Sequence, residues 1–318
     1  MHTYKIGVVA LLSLSFLSSS CQKAVRLYDK SVYKTYEKKG FQEKVLQNGD
    51  HTLHYFDNEL QHKPVMLFIH GFGGDGKVTW ERQVKRFSND YRIIVPDLLW
   101  FGESYSKAPP TLTSQVGAIH SLVEQLKLMD VHMVGISYGG FVALAYGSTF
   151  EHTLSSLTIV ASPGDVMADD EVEEFCRRNN VKSVKEIFVP KDAKDVKRLF
   201  KISMVNPPPF PIVVYEAIFE KYFSRYPTEQ AELLDDLPTN KDKVADTLSI
   251  PTLVLWGAKD AIFDVSNAYK LQEKLNAQLV INEKTGHTYP GEEPAHFNKA
   301  LMEFIDSIKS TANSNAPK

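Results

Sequence analysis

The chain has 318 residues, 43% of them hydrophobic and 24% charged. This is ordinary globular composition, with length for one large domain or one domain carrying an insertion. A formal net charge of −3 leaves no basic surplus of the kind that marks nucleic-acid binding, so no nucleic-acid partner is expected.

The first 21 residues stand apart. His2 and Lys5 make a weakly basic start, Ile6 to Leu17 is a mostly apolar run, and Ser18-Ser19-Ser20 precedes Cys21. A permanent bilayer span needs about 20 apolar residues, so this run is short for one. Its layout is that of a secretory signal with small residues at the cut. Cysteine after Leu-Ser-Ser-Ser resembles a bacterial lipoprotein signal, in which the cysteine is lipidated and becomes the new N-terminus. The common pattern has Leu three residues before the cysteine and Ala or Gly directly before it. Here Leu17 lies four before, and Ser18 and Ser20 hold those places. The expectation is a signal peptide over 1–20, lipid on Cys21, and an exported, membrane-anchored lipoprotein of the bacterial cell envelope. Plain cleavage would give a periplasmic or secreted protein instead, and an uncleaved anchor is the third reading. With Cys21 lipidated, only Cys176 remains and no intramolecular disulfide can form. Cys176 reads as a small core residue of a helical stretch rather than a reactive thiol.

Residues 22–40 are polar and rich in Lys and Tyr, which suits a tether or an N-terminal helix. The segments 41–45 and 51–56 read as an antiparallel pair about Asn48-Gly49-Asp50, a strong turn signal. Val65 to Ile69 is a continuous apolar run, as expected of a strand buried on both faces. Further such runs fall at 91–96, 131–136, 157–161, 252–256 and 278–281. Helical patterns lie between them at 78–87, 112–128, 139–146, 265–275 and 294–308. Alternating strands and helices predict a mostly parallel central sheet with helices on both faces.

The alternation stops between about Gly164 and Asp246. Helical signals, charges and the run Asn206-Pro207-Pro208-Pro209-Phe210-Pro211 replace it. We read 41–163 and 247–309 as the core, 164–246 as a helical lid over the carboxyl ends of the strands, and 310–318 as a flexible tail. Phe210, Ile212, Val213, Tyr215, Ile218, Phe219, Tyr222 and Phe223 give the lid an apolar face. That face either packs the lid onto the core or lines part of an acyl pocket.

The chemistry centres on Gly135-Ile136-Ser137-Tyr138-Gly139. G-x-S-x-G between a strand and a helix places a serine on a sharp turn with its hydroxyl at the tip. Serine is a weak nucleophile alone and needs a base in hydrogen-bond reach, itself oriented by an acid. His287 follows the last strand on a glycine-containing loop and is the candidate base. Asp260, a few residues past the strand at 252–256, is the candidate acid. Asp165, after the strand at 157–161, is an alternative. Asp264 is another, although a helix-cap role suits it better. Attack by the serine needs N–H donors for the developing oxyanion. His70-Gly71-Phe72-Gly73-Gly74 follows the strand at 65–69, so the backbone N–H groups of Phe72 and Tyr138 are the candidate pair. His70 reads as a structural hydrogen-bonding residue of that loop. No H-E-x-x-H cluster occurs, so no metal is expected, and no other cofactor is expected either.

Together the segments 70–74, 96–104, 135–140, 251–260 and Gly286-His287 with Glu293-Pro294 resemble the α/β-hydrolase-fold serine hydrolases. The resemblance spans about 41 to 309, the lid apart. It is nearest in character to bacterial lipases and esterases and to monoacylglycerol-lipase-like enzymes. It implies an α/β-hydrolase fold, Ser137, Asp260 and His287 as the triad, and Asp97 and Ser104 as structural residues near the site. The implied activity is carboxylic-ester hydrolysis of a small ester or acylglycerol by a monomer. Serine at 137 sets the chain apart from the epoxide hydrolases and haloalkane dehalogenases of this fold, which need a carboxylate there. Carbon–carbon hydrolysis of a vinylogous diketone shares the triad and is the alternative chemistry. A non-catalytic surface binding protein on a hydrolase scaffold is the alternative of another class.

Overall fold

The computed structural model describes residues 23–239 and 247–314. The expected signal at 1–20, Cys21, the end of the lid at 240–246 and residues 315–318 lie outside them. A helix over 23–38 (α1) comes first. β1 (Gln42–Asn48) and β2 (His51–Asp57) form the antiparallel hairpin. Gly49 takes φ 56° in its two-residue loop, the left-handed value that favours glycine there. The chain continues through β3 (Val65–Ile69), α2 (Gly76–Phe87), β4 (Arg92–Pro96), β5 (Tyr105–Ser106), α3 (Leu112–Gln125), β6 (Val131–Ile136), α4 (Tyr138–Phe150) and β7 (Leu154–Val160). An insertion follows with α5 (Asp169–Arg178), α6 (Lys185–Phe188), α7 (Ala193–Ser203), α8 (Ile212–Tyr222) and α9 (Pro227–Asp236). β8 (Thr252–Gly257), α10 (Ser266–Leu275), β9 (Gln278–Asn282), α11 (Tyr289–Glu292) and α12 (Pro294–Ser314) complete it.

The strands form one sheet in the order β1-β2-β4-β3-β6-β7-β8-β9, with the short β5 on β2. β4 through β9 along this path are parallel, and β2 joins β4 antiparallel. Every central strand is buried on both faces because successive side chains serve different cores. Leu67, Met133, Val254 and Trp256 pack on one side with Ile119, Leu122, Val142 and Leu271 of α3, α4 and α10. Met66, Phe68, Val134 and Leu255 pack on the other with Trp80, Phe87, Phe297 and Leu301 of α2 and α12. No helix among the described residues is long and apolar enough to cross a membrane.

Two N- and C-terminal expectations take a definite form. α1 is a packed helix, not a loose tether. Val32 and Tyr36 are fully buried, and Tyr36 meets Phe56 at 4.8 Å and Phe41 at 5.0 Å between ring centroids. Asp29 of α1 accepts from Lys77 of α2 at 2.7 Å and pairs with Lys221 of α8 at 3.1 Å, joining core and insertion. At the other end, α12 runs to Ser314 rather than ending near 308, so residues 310–314 are helical. No Gly or Pro interrupts the run before Pro317, and Lys309 donates to the Tyr91 hydroxyl at 3.2 Å.

Candidate active site

The parallel strands deliver β6, β8 and β9 with their carboxyl ends on one edge of the sheet, where loops of such sheets form sites. Ser137 follows β6 directly with φ 54° and ψ −122°. A non-glycine residue held there stores roughly 1–3 kcal/mol and persists only where its surroundings lock it. Its N–H donates to Val160 O at 2.9 Å, and its carbonyl accepts from Gly140 N–H at 2.8 Å. Ser137 is the N-cap residue of α4, yet its hydroxyl makes no capping bond. The side chain is therefore not spent on the helix.

The flanking glycines are there for space. A Cβ on Gly139 would lie 2.3 Å from His70 O, and one on Gly135 would lie 2.3 Å from Gly139 O. Both obstacles are backbone and cannot rotate away. Gly139→Ala should therefore cost about 1–3 kcal/mol or more by overpacking, and should displace the elbow enough to remove ester hydrolysis. Urea unfolding and an ester assay on the same preparation measure both effects. Unchanged stability and activity would contradict this packing.

Asp260 and His287 meet. His287 Nδ1 lies 2.9 Å from Asp260 Oδ2, and the Asp260 side chain is fully buried. The other carboxylate oxygen, Oδ1, accepts from the Ile262 and Phe263 N–H groups at 2.8 and 3.1 Å. The Phe263 ring stands between His287, at 5.6 Å, and Phe141 on the first turn of α4, at 6.2 Å. The two other acid candidates are engaged elsewhere. Asp165 pairs closely with Lys274, and Asp264 accepts from Ser266 N–H at 2.9 Å. A hydrogen bond between Ser137 Oγ and His287 is not among those the described residues make. Catalytic hydrogen bonds often tighten only with substrate in place.

The loop 70–74 comes against the elbow. A Cβ on Gly71 would fall 2.9 Å from Ser137 Cβ and 3.5 Å from Ser137 Oγ. His70 holds the loop. Leu98 N–H donates to its Nε2 at 2.9 Å, which leaves Nδ1 to donate to Gly71 O at 2.7 Å. Burial lowers its pKa to about 4, so it stays neutral and keeps both bonds near neutral pH. The Tyr138 N–H opens α4, and first-turn N–H groups have no acceptor within their own helix.

Asp97 and Ser104 brace this loop from below. Asp97 accepts from Gly76 N–H at 2.9 Å and Glu103 N–H at 3.2 Å, and Ser104 Oγ donates to Asp97 O at 2.8 Å. Burial and the Asp75 carboxylate push the Asp97 carboxyl from 3.8 up to about 8. A carboxyl raised in the fold favours folding fully below its unfolded pKa, and that contribution is lost as pH rises through the folded value. The stability advantage of the wild type over Asp97→Asn should therefore shrink between about pH 4 and about pH 8. Urea midpoints of both proteins across that window read it, and parallel curves would contradict it.

The insertion lies directly over this loop. The side chains of Leu199 and Phe223 stand 3.7 Å from where a Cβ on Gly73 would be. Phe188 of α6 meets Phe72 at 6.3 Å, and Phe72 meets Phe101 at 4.9 Å and Tyr138 at 5.1 Å. The apolar face read from the lid sequence divides. Tyr215, Ile218 and Phe223 are buried, whereas Phe210 and Ile212 are exposed. Three aromatics that pack on Phe72 or His287, namely Phe188, Phe101 and Phe263, escaped sequence reasoning. Only Phe263, three residues after Asp260, had a positional signal. Cys176 is half-buried against the insertion core rather than sealed in it. Burial and Glu186 raise its pKa, away from thiolate reactivity.

Comparison with known proteins agrees with this architecture. A family model described as alpha/beta hydrolase fold matches residues 64–294. Monoacylglycerol lipase ABHD6 of Bos taurus is 27% identical, over 97% of this chain and 95% of its own. Lipase 1 of Psychrobacter immobilis is 28% identical, over 76% of this chain and 77% of its own. The crystal structure of the lip1 protein of Acinetobacter baumannii AYE superposes with a TM-score of 0.78 at 27% identity, covering 89% of this chain and 97% of that one. A parallel sheet flanked on both faces, a strained serine elbow after β6 and an Asp–His pair after β8 and β9 thus occur in a chain that belongs to the α/β-hydrolase fold family.

Proposed function

We propose that this chain is a carboxylic-ester hydrolase working through Ser137, His287 and Asp260. The observation that carries the reading is the buried Asp260–His287 bond of 2.9 Å on the sheet edge that also bears the strained, uncapped Ser137. His287 Nε2 takes the Ser137 proton as Oγ attacks the ester carbon. Asp260 holds the Nδ1–H and stabilises the imidazolium. The N–H groups of Phe72 and Tyr138 receive the oxyanion, each contributing on the order of 2.7–4 kcal/mol at the transition state. The alcohol leaves with the proton returned from Nε2, and an acyl-serine remains. Water, deprotonated by His287, then adds to the acyl carbon and releases the acid.

Apolar rings on the loop beside the nucleophile support a substrate with an acyl chain. Phe101, Tyr138 and Phe188 pack edge-on against Phe72, on the loop whose Gly71 adjoins Ser137, which suits an acyl chain. The lipase relatives support an acylglycerol. Hydrolysis rates on p-nitrophenyl esters from two to sixteen carbons, with monoacylglycerols alongside, test this. Activity rising beyond acetate and extending to a monoacylglycerol is expected, and a protein inert on every ester would sink the reading. We also propose export and lipidation at Cys21, which precedes α1 by two residues. The mass of the mature N-terminus distinguishes a diacylated Cys21 from a simple cut.

A further inference from the structure

We propose that Glu292 is a positioning residue that fastens the His287 loop to the helical insertion, so that setting the base and closing the insertion are one event. The proposal rests on His287 acting as the base. Glu292 Oε1 accepts from Gly286 N–H at 3.0 Å and from the Thr288 hydroxyl at 3.1 Å. These are the two residues on either side of His287. Glu292 Oε2 accepts from Val205 N–H at 2.8 Å, and Val205 lies two residues past the end of α7. A second strut runs beside it, from Thr288 N–H to Ser203 O at 3.2 Å. On the opposite side, Lys259 N–H donates to Thr285 O at 3.0 Å. The His287 loop is thus clamped between the Asp260 loop and the carboxyl end of α7.

The chemistry requires a carboxylate. An ionised Glu only accepts, through two oxygens, and so can satisfy three donors at once. A Gln offers one acceptor oxygen and one donor amide. It can serve the Gly286–Thr288 pair or Val205, not both. Asp260 fixes the His287 ring through Nδ1, but a ring is only as well placed as the backbone that carries it, and a shift of about 1 Å can cost about 100-fold in rate. Because Val205 and Ser203 belong to the insertion, lifting the insertion breaks the Glu292–Val205 and Ser203–Thr288 bonds together. The base is then held in register only when the insertion is down.

The test uses the full chain with p-nitrophenyl butyrate, assayed well below each variant's melting temperature. Glu292→Ala should lower the plateau kcat by about 10- to 100-fold with KM little changed. Glu292→Gln, which can still serve the Gly286–Thr288 pair but not Val205 as well, should recover part of that loss. Both variants lose the same charge, so a shift of the pH profile common to both reports charge, and the kcat difference between them reports positioning. Val205→Pro deletes the insertion's donor; the extended ψ of Met204, 142°, suits a following proline. It should lower kcat several-fold alone and add little in the Glu292→Ala background, as coupled sites do. A Glu292→Ala protein with wild-type kcat and only a lower melting temperature would overturn the proposal. So would strictly additive effects with Val205→Pro, or equal losses in the Ala and Gln variants. If wild type itself fails to hydrolyse esters or to be labelled at Ser137 by a fluorophosphonate, the hydrolase reading fails first, independently of Glu292.

Discussion

Replacing Asp260 by Asn should lower kcat at neutral pH by about 10,000-fold while leaving the protein folded. Two backbone N–H groups, of Ile262 and Phe263, already point at Oδ1 from 2.8 and 3.1 Å. In the variant the amide oxygen keeps those two donors, because turning it away would set an NH2 group against two N–H groups. The amide nitrogen is then left facing His287 Nδ1. That nitrogen donates, so Nδ1 must accept, and the neutral imidazole carries its proton on Nε2. A protonated Nε2 cannot take the proton of Ser137. The loss thus comes from the wrong tautomer, with the geometry intact. Asp260→Ala should lose similar activity but also stability, because both backbone donors lose their partner in a buried place. Steady-state kinetics with a melting curve for each variant separates the two. Activity of Asp260→Asn within about tenfold of wild type would contradict the orienting role.

Ser137→Ala should remove ester hydrolysis by a still larger factor, on the order of a million-fold in kcat where serine and base act as a unit. Its effect on stability should be small, within about 0.5 kcal/mol. The side-chain hydroxyl makes no capping bond to α4, so nothing structural is lost with it. The strained φ of 54° is as costly for Ala as for Ser, so nothing is relieved either. A large loss of stability would mean that the hydroxyl holds the elbow together. Retained hydrolysis would remove Ser137 from the chemistry.

Much of this candidate site was legible because each part depends on local pattern. The run Val131 to Val134, with Gly135 and Gly139 then spaced around Ser137, allows little other than a strand, a sharp turn and a helix. His287 follows from its place after the last strand. Asp260 could be preferred but not isolated, since Asp165 and Asp264 also follow strands or open helices. Only the tertiary partners, Lys274 for Asp165 and the Ser266 N–H for Asp264, separate them. Contacts between distant segments were not legible. Glu292 reads as one acid in a Glu-Glu-Pro turn, and nothing local shows that it meets Val205, 87 positions earlier. Phe188 meets Phe72 for the same unreadable reason, the way the insertion settles on the core. β5 is two residues long, too short for any periodicity. The lid face failed in part because an apolar residue at a loop or helix start, such as Phe210 or Ile212, need not face inward.

Labelling with a fluorophosphonate followed by peptide mapping addresses the nucleophile most directly. The probe phosphonylates only a serine that a base has activated, and the adduct stays on the residue that attacked. The expected result is a single adduct on the peptide carrying Ser137, absent from the Ser137→Ala protein and much slowed in Asp260→Asn. An adduct on another serine, or none on a protein that still cleaves esters, would contradict Ser137 as the nucleophile.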